Sequence, residues 1–543
     1  MAKWLSSLSD NIAVDKSKCT FCMQCVDKCI LDNLRFYASP CRDACPLRLN
    51  CQGYTQLIAR GEEEKALGLI YEGTPFPGIL GRVCAAPCET SCSRNTVDGQ
   101  PVATRALKRY LADAVASPDS NGSADPLKAW RSPTERAERV AIVGGGPAGV
   151  MAACYLRREG YQVSLFEASS RLGGMLTACI PEFRLPPTTA ADELALVERL
   201  GVDVHLGSPV DERRFFDIIE GNDAVLVATG ATRGKRLGIP GEDLAGVYNG
   251  IDFLRASREA DKPVVGKRVV VVGGGNTAVD AAQTAYRLGA EEVRVVCLEA
   301  GDEMPAFAWE VRDAVEEGVV VENGWGPTGV VAADGRAAGL ECRRCLSVFD
   351  AEGRFAPCFA EGERRTIPAD TVIIAIGQEA ELGFLGDSGL EVRVGRVVAD
   401  ADTLQTAVAK VFAAGDAVSG PTSVVEAMGR GRTAAESITR YLQGLPLRYG
   451  RRDAVAAQVA ASVDASGAVV RPRVEAPRVA VAARRGFGEI EGTLSREQAR
   501  AEAERCLSCG RPAGEHRMCW SCLACEQACP EDAIAVSVPY LMR

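Results

Sequence analysis

Two kinds of residue in this chain carry chemistry: cysteines in tight runs and glycines at the ends of apolar stretches. Among 543 residues there are 22 cysteines, and 16 of them fall in short-spaced runs. Cys19, Cys22, Cys25 and Cys29 make C-x2-C-x2-C-x3-C, and Cys519, Cys522, Cys525 and Cys529 repeat it with Pro530 following. That spacing suits a [4Fe–4S] cluster, and where two such clusters lie together the fourth cysteine of each run serves the other. Four-thiolate zinc is the rival, but zinc sites more often pair two CxxC elements across a longer loop. Cys41, Cys45 and Cys51 precede a helix-like stretch, and Cys84, Cys88 and Cys92 follow it, so folding could bring cysteines of both triplets to a cluster that no single run could build. An acidic helix-like segment delivers Cys506 and Cys509. By contrast, Cys154, Cys179 and Cys297 lie in apolar segments and read as small core residues. Cys342, Cys345 and Cys358 stand in alternating, strand-like sequence without a convincing fourth ligand. With only His205 and His516, histidine-rich metal sites and CxxCH haem attachment are excluded, and each histidine reads as an ordinary polar residue.

The glycines need particular elements around them. Residues 140–166 run VAIVGGGPAGVMAACYLRREGYQVSLF, then Glu167. This is strand, tight turn, helix, strand. Gly144 permits the turn, Gly146 lets a pyrophosphate approach the helix N-terminus, and Gly149 lets helix and strand lie close. Glu167, 18 residues past Gly149, can accept from a ribose hydroxyl pair. Residues 268–298 repeat the unit: Gly273 and Gly275 match the first two glycines, Ala278 takes the third position, and Asn276 and Thr277 open the helix, where they could cap it or contact phosphate. Two such units call for two dinucleotides.

The composition is that of a globular chain, with 25% charged residues and a net charge of −10. No basic stripe points to nucleic acid. No apolar run reaches transmembrane length and the start lacks a secretory apolar core, so a cytoplasmic enzyme is expected. Residues 102–116 read as an amphipathic helix with Ala106, Leu107, Tyr110 and Leu111 apolar; 117–137 read as a linker and 446–500 as a traversing arm.

The pattern C-x3-CP … GRVC-x3-CE-x2-C, followed by GGGPAG, resembles the small subunit of glutamate synthase and the N-terminal part of dihydropyrimidine dehydrogenase. These are FAD-dependent, pyridine-nucleotide-linked iron–sulfur oxidoreductases, and the resemblance spans about residues 38–445. It departs in one respect. Glutamate synthase small subunits carry a CxxC before the first CP and a longer loop after GRVC; here that CxxC is absent and the spacing is tight, which leaves cluster ligation open. The resemblance implies an α/β fold with two Rossmann-like dinucleotide-binding domains of glutathione-reductase type. FAD goes to the first unit, a nicotinamide cofactor to the second, and the nicotinamide domain is inserted in the FAD domain. A helical iron–sulfur domain and ferredoxin-like terminal segments complete the chain. The expected division is 1–37 ferredoxin-like, 38–125 helical, 138–250 with 370–445 FAD-binding, 251–369 nicotinamide-binding, 446–500 arm and 501–543 ferredoxin-like.

Further FAD contacts are implied in the same way. Gly173, Gly174 and Met175 form a loop closing over the cofactor, with Arg171 near its adenosine or pyrophosphate portion. Thr229 and Gly230 belong to an ATG strand end, and Gly377 ends a later strand. Gly415 and Asp416 follow a third strand, with Asp416 able to accept from a ribityl hydroxyl. Thr422, Ser423 and Val424 begin a helix whose N–H groups would face the flavin pyrimidine edge. Glu303, Met304 and Pro305 resemble the family's loop beside the nicotinamide domain.

The expected function is electron transfer between NAD(H) and two to four [4Fe–4S] clusters through FAD, with ferredoxin or a large catalytic oxidoreductase subunit as partner in a hetero-oligomer. The alternatives are a glutamate-synthase-type small subunit using NAD(P)H, a self-contained NAD(P)H:ferredoxin oxidoreductase, bifurcating or not, and a cluster-bearing assembly module with a structural flavin. Either the termini meet, and Cys29 and Cys529 cross over between two clusters, or each run finds ligands locally, with Cys506 and Cys509 at hand. Glu299 stands 21 residues past Ala278, where a carboxylate accepts both ribose hydroxyls of NADH and repels a 2′-phosphate. Glutamate synthase small subunits usually have YRR there against Cys297, Leu298 and Glu299 here, so NADH is expected over NADPH. Arg294 is the one nearby cation that could curl toward a phosphate.

Overall fold

A computed structural model describes residues 4–5, 12–15, 17–30, 34–115, 126–449, 451, 465, 468, 470–514, 519 and 521–537. Two five-stranded parallel sheets form its centre. The first has the order Val411–Ala413, Ala224–Val227, Arg139–Val143, Gln162–Phe166, Asp203–His205. The second has the order Val320–Asn323, Glu292–Cys297, Arg268–Val272, Thr371–Ile374, Val247–Asn249. Their central strands are uninterrupted β-branched and apolar runs because both faces are covered. The chain leaves the first sheet after Ala224–Val227, builds the second, and returns to add Val411–Ala413. One nucleotide unit is therefore inserted in the other, as the sequence leads one to expect.

A three-stranded antiparallel meander (Trp325–Ala333, Arg336–Phe349, Phe355–Pro368) hangs on the second sheet. It holds Cys342 and Cys345 buried and Cys358 exposed along its strands, as the alternating sequence indicates. Cys154, Cys179 and Cys297 are buried in apolar clusters or strands.

The cysteine-rich region is helical. Cys51–Arg60 starts at Asn50, whose side chain accepts from Gly53 N, and stops at Gly61. Glu63–Tyr71 and Pro77–Val83 follow. The helix read over 102–116 begins at Thr104 and passes after Tyr110 into a π-turn, Leu111–Val115; Ala116 lies outside the described residues. Ala106, Leu107, Tyr110 and Leu111 are buried, but so are Lys108 and Arg109 on the charged face. Within 117–137, residues 117–125 lie outside the described residues, and Pro126–Trp130 is a short packed helix, not linker. Trp130 anchors it, donating from Nε1 to Tyr71 O (2.6 Å) and meeting Tyr155 edge-on at 4.9 Å.

The two ends of the chain meet. Ile12–Asp15 pairs antiparallel with Ile534–Val536, in register Ile12 with Val536 and Val14 with Ile534. A small core of Ile12, Val14, Phe21, Leu34, Ala533 and Ile534 lies between them. A second strand pair, Leu34–Tyr37 with Arg511–Gly514, ties this unit to the helical region. Gln52 fastens the same junction, donating to Gly510 O and Ser508 Oγ (both 3.1 Å) and accepting from Gly510 N (2.6 Å).

Of the stretch 446–500, the described part runs across several units. Arg473 pairs with Glu89, Arg478 with Asp313, and Glu489 with Arg82 and Arg109, while Ile490 N donates to Phe183 O. Ser495 then caps the Arg496–Ala503 helix in a reciprocal box with Gln498. Among the described residues, no helix is long and apolar enough to cross a membrane.

Candidate functional site

One cleft of about 1290 Å³ is bordered by both glycine turns. At the first turn, Gly144 has φ +109°, and a Cβ there would overlap the Ala228 carbonyl. A Cβ on Gly149 would overlap the Gly144 carbonyl oxygen, so the Pro147–Arg158 helix lies directly on the turn. Gly146 faces the cleft, with only Gly174 Cα near its Cβ direction, at 4.0 Å. At the second turn, Gly273 packs on the Ala375 carbonyl, Ala278 is buried behind it, and Gly275 is open to the cleft, with nothing within 4 Å of its Cβ direction. The first two N–H groups of each following helix have no carbonyl four residues back to bind. Together with the dipole they make an anion seat beside each open glycine.

The two acids occupy equivalent places. Glu167 accepts from Gly145 N and Ser169 N (2.8 Å each). The Glu299 carboxylate lies where a Cβ on Gly274 would come within 2.6 Å of it. Both line the cleft. Arg294, the cation that could have reached a phosphate, pairs with Glu292 and Glu322 and does not line it.

Met175, Thr229, Gly230 and Gly377 line the cleft, as do Asn276 and Thr277. Asn276 Oδ1 accepts from Phe307 N (2.8 Å), and Gln378 donates to the Thr277 hydroxyl at 3.4 Å. Gly174 lines it too and sits against Gly146, where its Cβ would approach Gly146 Cα to 2.9 Å. Gly173 lies behind this loop, its N–H donating to Gly145 O at 2.8 Å. Arg171 is off the cleft, exposed and paired with Glu259. Of the loop at Glu303, Met304 and Pro305, only Pro305 borders the cleft.

Gly415, Asp416, Thr422, Ser423 and Val424 form the far wall. Asp416 accepts from Thr422 N (3.1 Å) and Thr422 Oγ1 (2.8 Å), and burial pushes its carboxyl up to about 6. Ser423 caps the Val424–Leu442 helix in a reciprocal box with Glu426. Gly431 in that helix packs on the Ala148 carbonyl, and a Cβ on Gly429 would come within 2.6 Å of Pro46, next to Cys45.

Sequence reading missed several cleft residues. Val83, the residue before Cys84, is one. Arg184 is another, binding Asp280 through 2.7 and 2.9 Å bonds and pairing with Glu310, whose carboxyl burial pushes up to about 7. Asp280 carries the signal that could have revealed this, a carboxylate amid the alanines of a buried helix face. His205 stacks on Phe166 at 4.8 Å and bonds Asp203, away from any cysteine run, and His516 lies outside the described residues.

The 16 run cysteines gather in two regions. Between the chain ends, Cys19, Cys22 and Cys25 share a cavity with Cys529, while Cys525 has Cys29, Cys519 and Cys522 as neighbours. In the helical region, Cys41, Cys51 and Cys92 border a cavity with Cys506 and Cys509, and Cys45, Cys84 and Cys88 lie beside them. The CxxC missing ahead of Cys41 thus stands beside it in space, brought from the other end of the chain. Cys51 lies between the two groups, and its neighbours Cys41, Cys45 and Cys88 push its thiol well up. Backbone N–H groups reach sulfur at Cys19 (3.4 Å), Cys29 (3.4 Å), Cys84 (3.4 Å) and Cys529 (3.2 Å). Burial pushes Cys19 and Cys525 up to about 11, and Cys25 and Cys506 up to about 12. Thiols so placed ionise when a metal shares the site. Among the described residues, no three His, Cys, Asp or Glu side chains converge as the ligands of a single ion do.

Residues 138–431 match the pyridine nucleotide–disulphide oxidoreductase family, and residues 5–119 match dihydropyrimidine dehydrogenase domain II, 4Fe-4S cluster. The chain is 40% identical over 508 residues to the beta subunit of NADP(+)-dependent formate dehydrogenase from Moorella thermoacetica, covering 88% of this chain and 71% of that one. It is 34% identical over 517 residues to the NADPH-Fe(3+) oxidoreductase beta subunit of Geobacter sulfurreducens, covering 88% and 76%. It is 34% identical over 425 residues to the glutamate synthase [NADPH] small chain of Halomonas elongata, covering 74% and 88%. The paired glycine turns on one cleft, beside helices laden with cysteine, have the same origin as those proteins: the chain belongs to the pyridine nucleotide–disulphide oxidoreductase family, as an FAD- and NAD(P)-linked oxidoreductase domain fused to a dihydropyrimidine-dehydrogenase-type 4Fe-4S domain.

Proposed function

We propose that this chain is an electron-transfer subunit that exchanges electrons between NAD(H) and four [4Fe–4S] clusters through FAD. When bound, FAD would supply the link between two-electron hydride chemistry and the one-electron chemistry of iron–sulfur clusters. The observation that carries the reading is the contact of cleft and cysteines: Val83 lines the cleft and Cys84 follows it.

The chain's own residues have separable tasks in this reading. Gly144, Gly146, Gly149 and Glu167 seat the pyrophosphate and ribose of FAD. Gly174 and Met175 close one side, Thr229, Gly230 and Gly377 border the strand ends, and Asp416 holds the ribityl chain. Val424 N–H, at the positive end of a 19-residue helix, favours negative charge on the flavin pyrimidine. Gly273, Gly275, Asn276, Thr277 and Ala278 seat the nicotinamide dinucleotide. The Val424–Leu442 helix also spans the gap to the cysteines. From Val424 to Gly429, which rests on Pro46, is about 7–8 Å of helix.

Four ligand sets account for all 16 run cysteines: Cys45, Cys51, Cys84 and Cys88 nearest the cleft; Cys41, Cys92, Cys506 and Cys509 next; then Cys19, Cys22, Cys25 with Cys529, and Cys519, Cys522, Cys525 with Cys29. The last two sets use the crossing that two-cluster ferredoxins use. The terminal unit is the outlet, to ferredoxin or to the catalytic subunit of a hetero-oligomer; two relatives are named as beta subunits. A native pull-down would identify that partner.

Anaerobically purified protein is expected to hold 16 irons, four for each ligand set. Cys529→Ser should remove about four irons of a terminal cluster while Cys84→Ser removes about four of an inner one. An iron content below two per chain in the unmodified protein would end the iron–sulfur reading.

For the nicotinamide, Glu299 supports NADH. The relatives' names favour the other outcome, since they refer to NADP(+) or NADPH.

A further inference from the structure

The Thr104–Tyr110 helix carries three cations, and two have carboxylate partners. Arg105 pairs with Glu491, and Arg109 with Asp113 and Glu489. Lys108, between them, is only 4% exposed, and among the described residues no carboxylate forms an ion pair with it. Burial works against its charge, and the neighbouring Cys84, Cys88, Cys45 and Cys51 sulfurs favour it. Close helix packing fixes it there. A Cβ on Gly81 would approach Arg109 Cα to 2.7 Å, so the Pro77–Val83 helix that delivers Cys84 lies against the backbone carrying Lys108. Tyr54 Oη donates to Thr104 O (3.3 Å) and holds the start of the same helix beside the one that opens at Cys51.

A buried ammonium without a counter-charge is costly. Neutral thiols repay little of that cost. A cubane bound by four thiolates repays it, because it carries net negative charge that grows by one unit on reduction. We propose that Lys108 is the built-in counter-cation of the cluster held by Cys45, Cys51, Cys84 and Cys88, and that it raises this cluster's reduction potential. The inference rests on the ligand set proposed above. A fixed positive charge in a low-dielectric site stabilises the more negative of two redox states. Lys108 thereby makes the cluster beside the cleft a better acceptor of the first single electron, and it acts as a positioning charge, not a ligand.

The test uses full-length chain purified anaerobically as wild type, Lys108→Met, Lys108→Arg and Cys84→Ser. Iron is counted, and the reduced clusters are followed by electron paramagnetic resonance during a potentiometric titration. Cys84→Ser identifies the signal of the inner cluster. In Lys108→Met the reduced-to-oxidised ratio of that cluster at a fixed potential should fall at least tenfold, which is 59 mV for a one-electron couple. Lys108→Arg should stay within threefold of wild type. Loss of about four irons from Lys108→Met but not from Lys108→Arg would also support the proposal, since charge alone then holds the cluster. A Lys108→Met titration that overlays wild type overturns it, as does equal iron loss in both variants, which would make the residue's role one of shape. If Cys84→Ser loses no iron, the ligand assignment fails instead, a result distinct from either.

Discussion

Gly149→Ala is expected to leave the chain almost without bound flavin. The added methyl would overlap the Gly144 carbonyl oxygen, and that carbonyl has nowhere to go. Gly144 sits at φ +109° with its own Cβ direction blocked by Ala228. The helix must lift from the strand instead, carrying its unpaired N–H groups away from the pyrophosphate seat. Overpacking of this kind costs about 1–3 kcal/mol, so flavin content should fall to roughly a tenth of wild type or less. The check is the ratio of flavin to protein absorbance after purification, with iron counted in parallel. Iron at the chain ends should persist, because that unit shares no element with the turn. Gly275→Ala is the control: nothing lies within 4 Å of its Cβ direction, so the fold and flavin should survive while nicotinamide affinity drops. Full flavin occupancy in Gly149→Ala would remove the first turn from the cofactor site.

The second large effect is on nicotinamide choice. Unmodified protein should use NADH at least tenfold more efficiently than NADPH, about 1.4 kcal/mol in transition-state terms. Glu299 lies against Gly274 as Glu167 lies against Gly145, so the two acids sit at matching ends of matching strands. A carboxylate there accepts from the ribose hydroxyls and repels a 2′-phosphate. Arg294 is held by Glu292 and Glu322 and offers that phosphate nothing. Replacing Leu298 and Glu299 together by arginine removes the repulsion and adds the bidentate donors that phosphate prefers. The ratio of the two kcat/KM values should then narrow or invert. Equal or better use of NADPH by the unmodified chain would defeat the assignment and would agree with the names of the relatives.

Much of this was legible because it is local. Gly144 and Gly149 are set by backbone geometry within a few residues, and a sequence shows such geometry directly. The Glu167 and Glu299 spacings follow from the fixed length of one helix and one strand. The insertion of one nucleotide unit in another was readable because strand, turn and helix recur in order. The illegible features are non-local. Cys506 and Cys509 lie over 400 residues from Cys92 in the chain, and the packing of the Arg496–Ala503 helix on the Cys51–Arg60 helix, with the Gln52 bonds to Ser508 and Gly510, brings them together. The termini offered two readings, and strand pairing between Ile12–Asp15 and Ile534–Val536 joins the ends as one of them required. Lys108 belongs to the helix read as amphipathic over 102–116 and stands outside its apolar set. Periodicity cannot tell a charge facing water from one facing thiols: Arg105 and Arg109 of this helix meet Glu491 and Glu489 of the arm, whereas Lys108 has cysteines beside it. Pro126–Trp130 was hidden in a linker-like composition because one buried tryptophan outweighs its polar neighbours. Arg171 stands close in sequence to the cleft loop, yet its guanidinium pairs with Glu259.

The central claim is that electrons from a nicotinamide reach the cysteine-held clusters through FAD in this one chain. An anaerobic titration of the purified protein with NADH tests it most directly, with absorbance and electron paramagnetic resonance recorded on the same samples. The flavin band should bleach, and signals of reduced [4Fe–4S] clusters should grow in with it. A flavin band that neither NADH nor NADPH bleaches would contradict the account and leave the flavin a structural part of a cluster-bearing module.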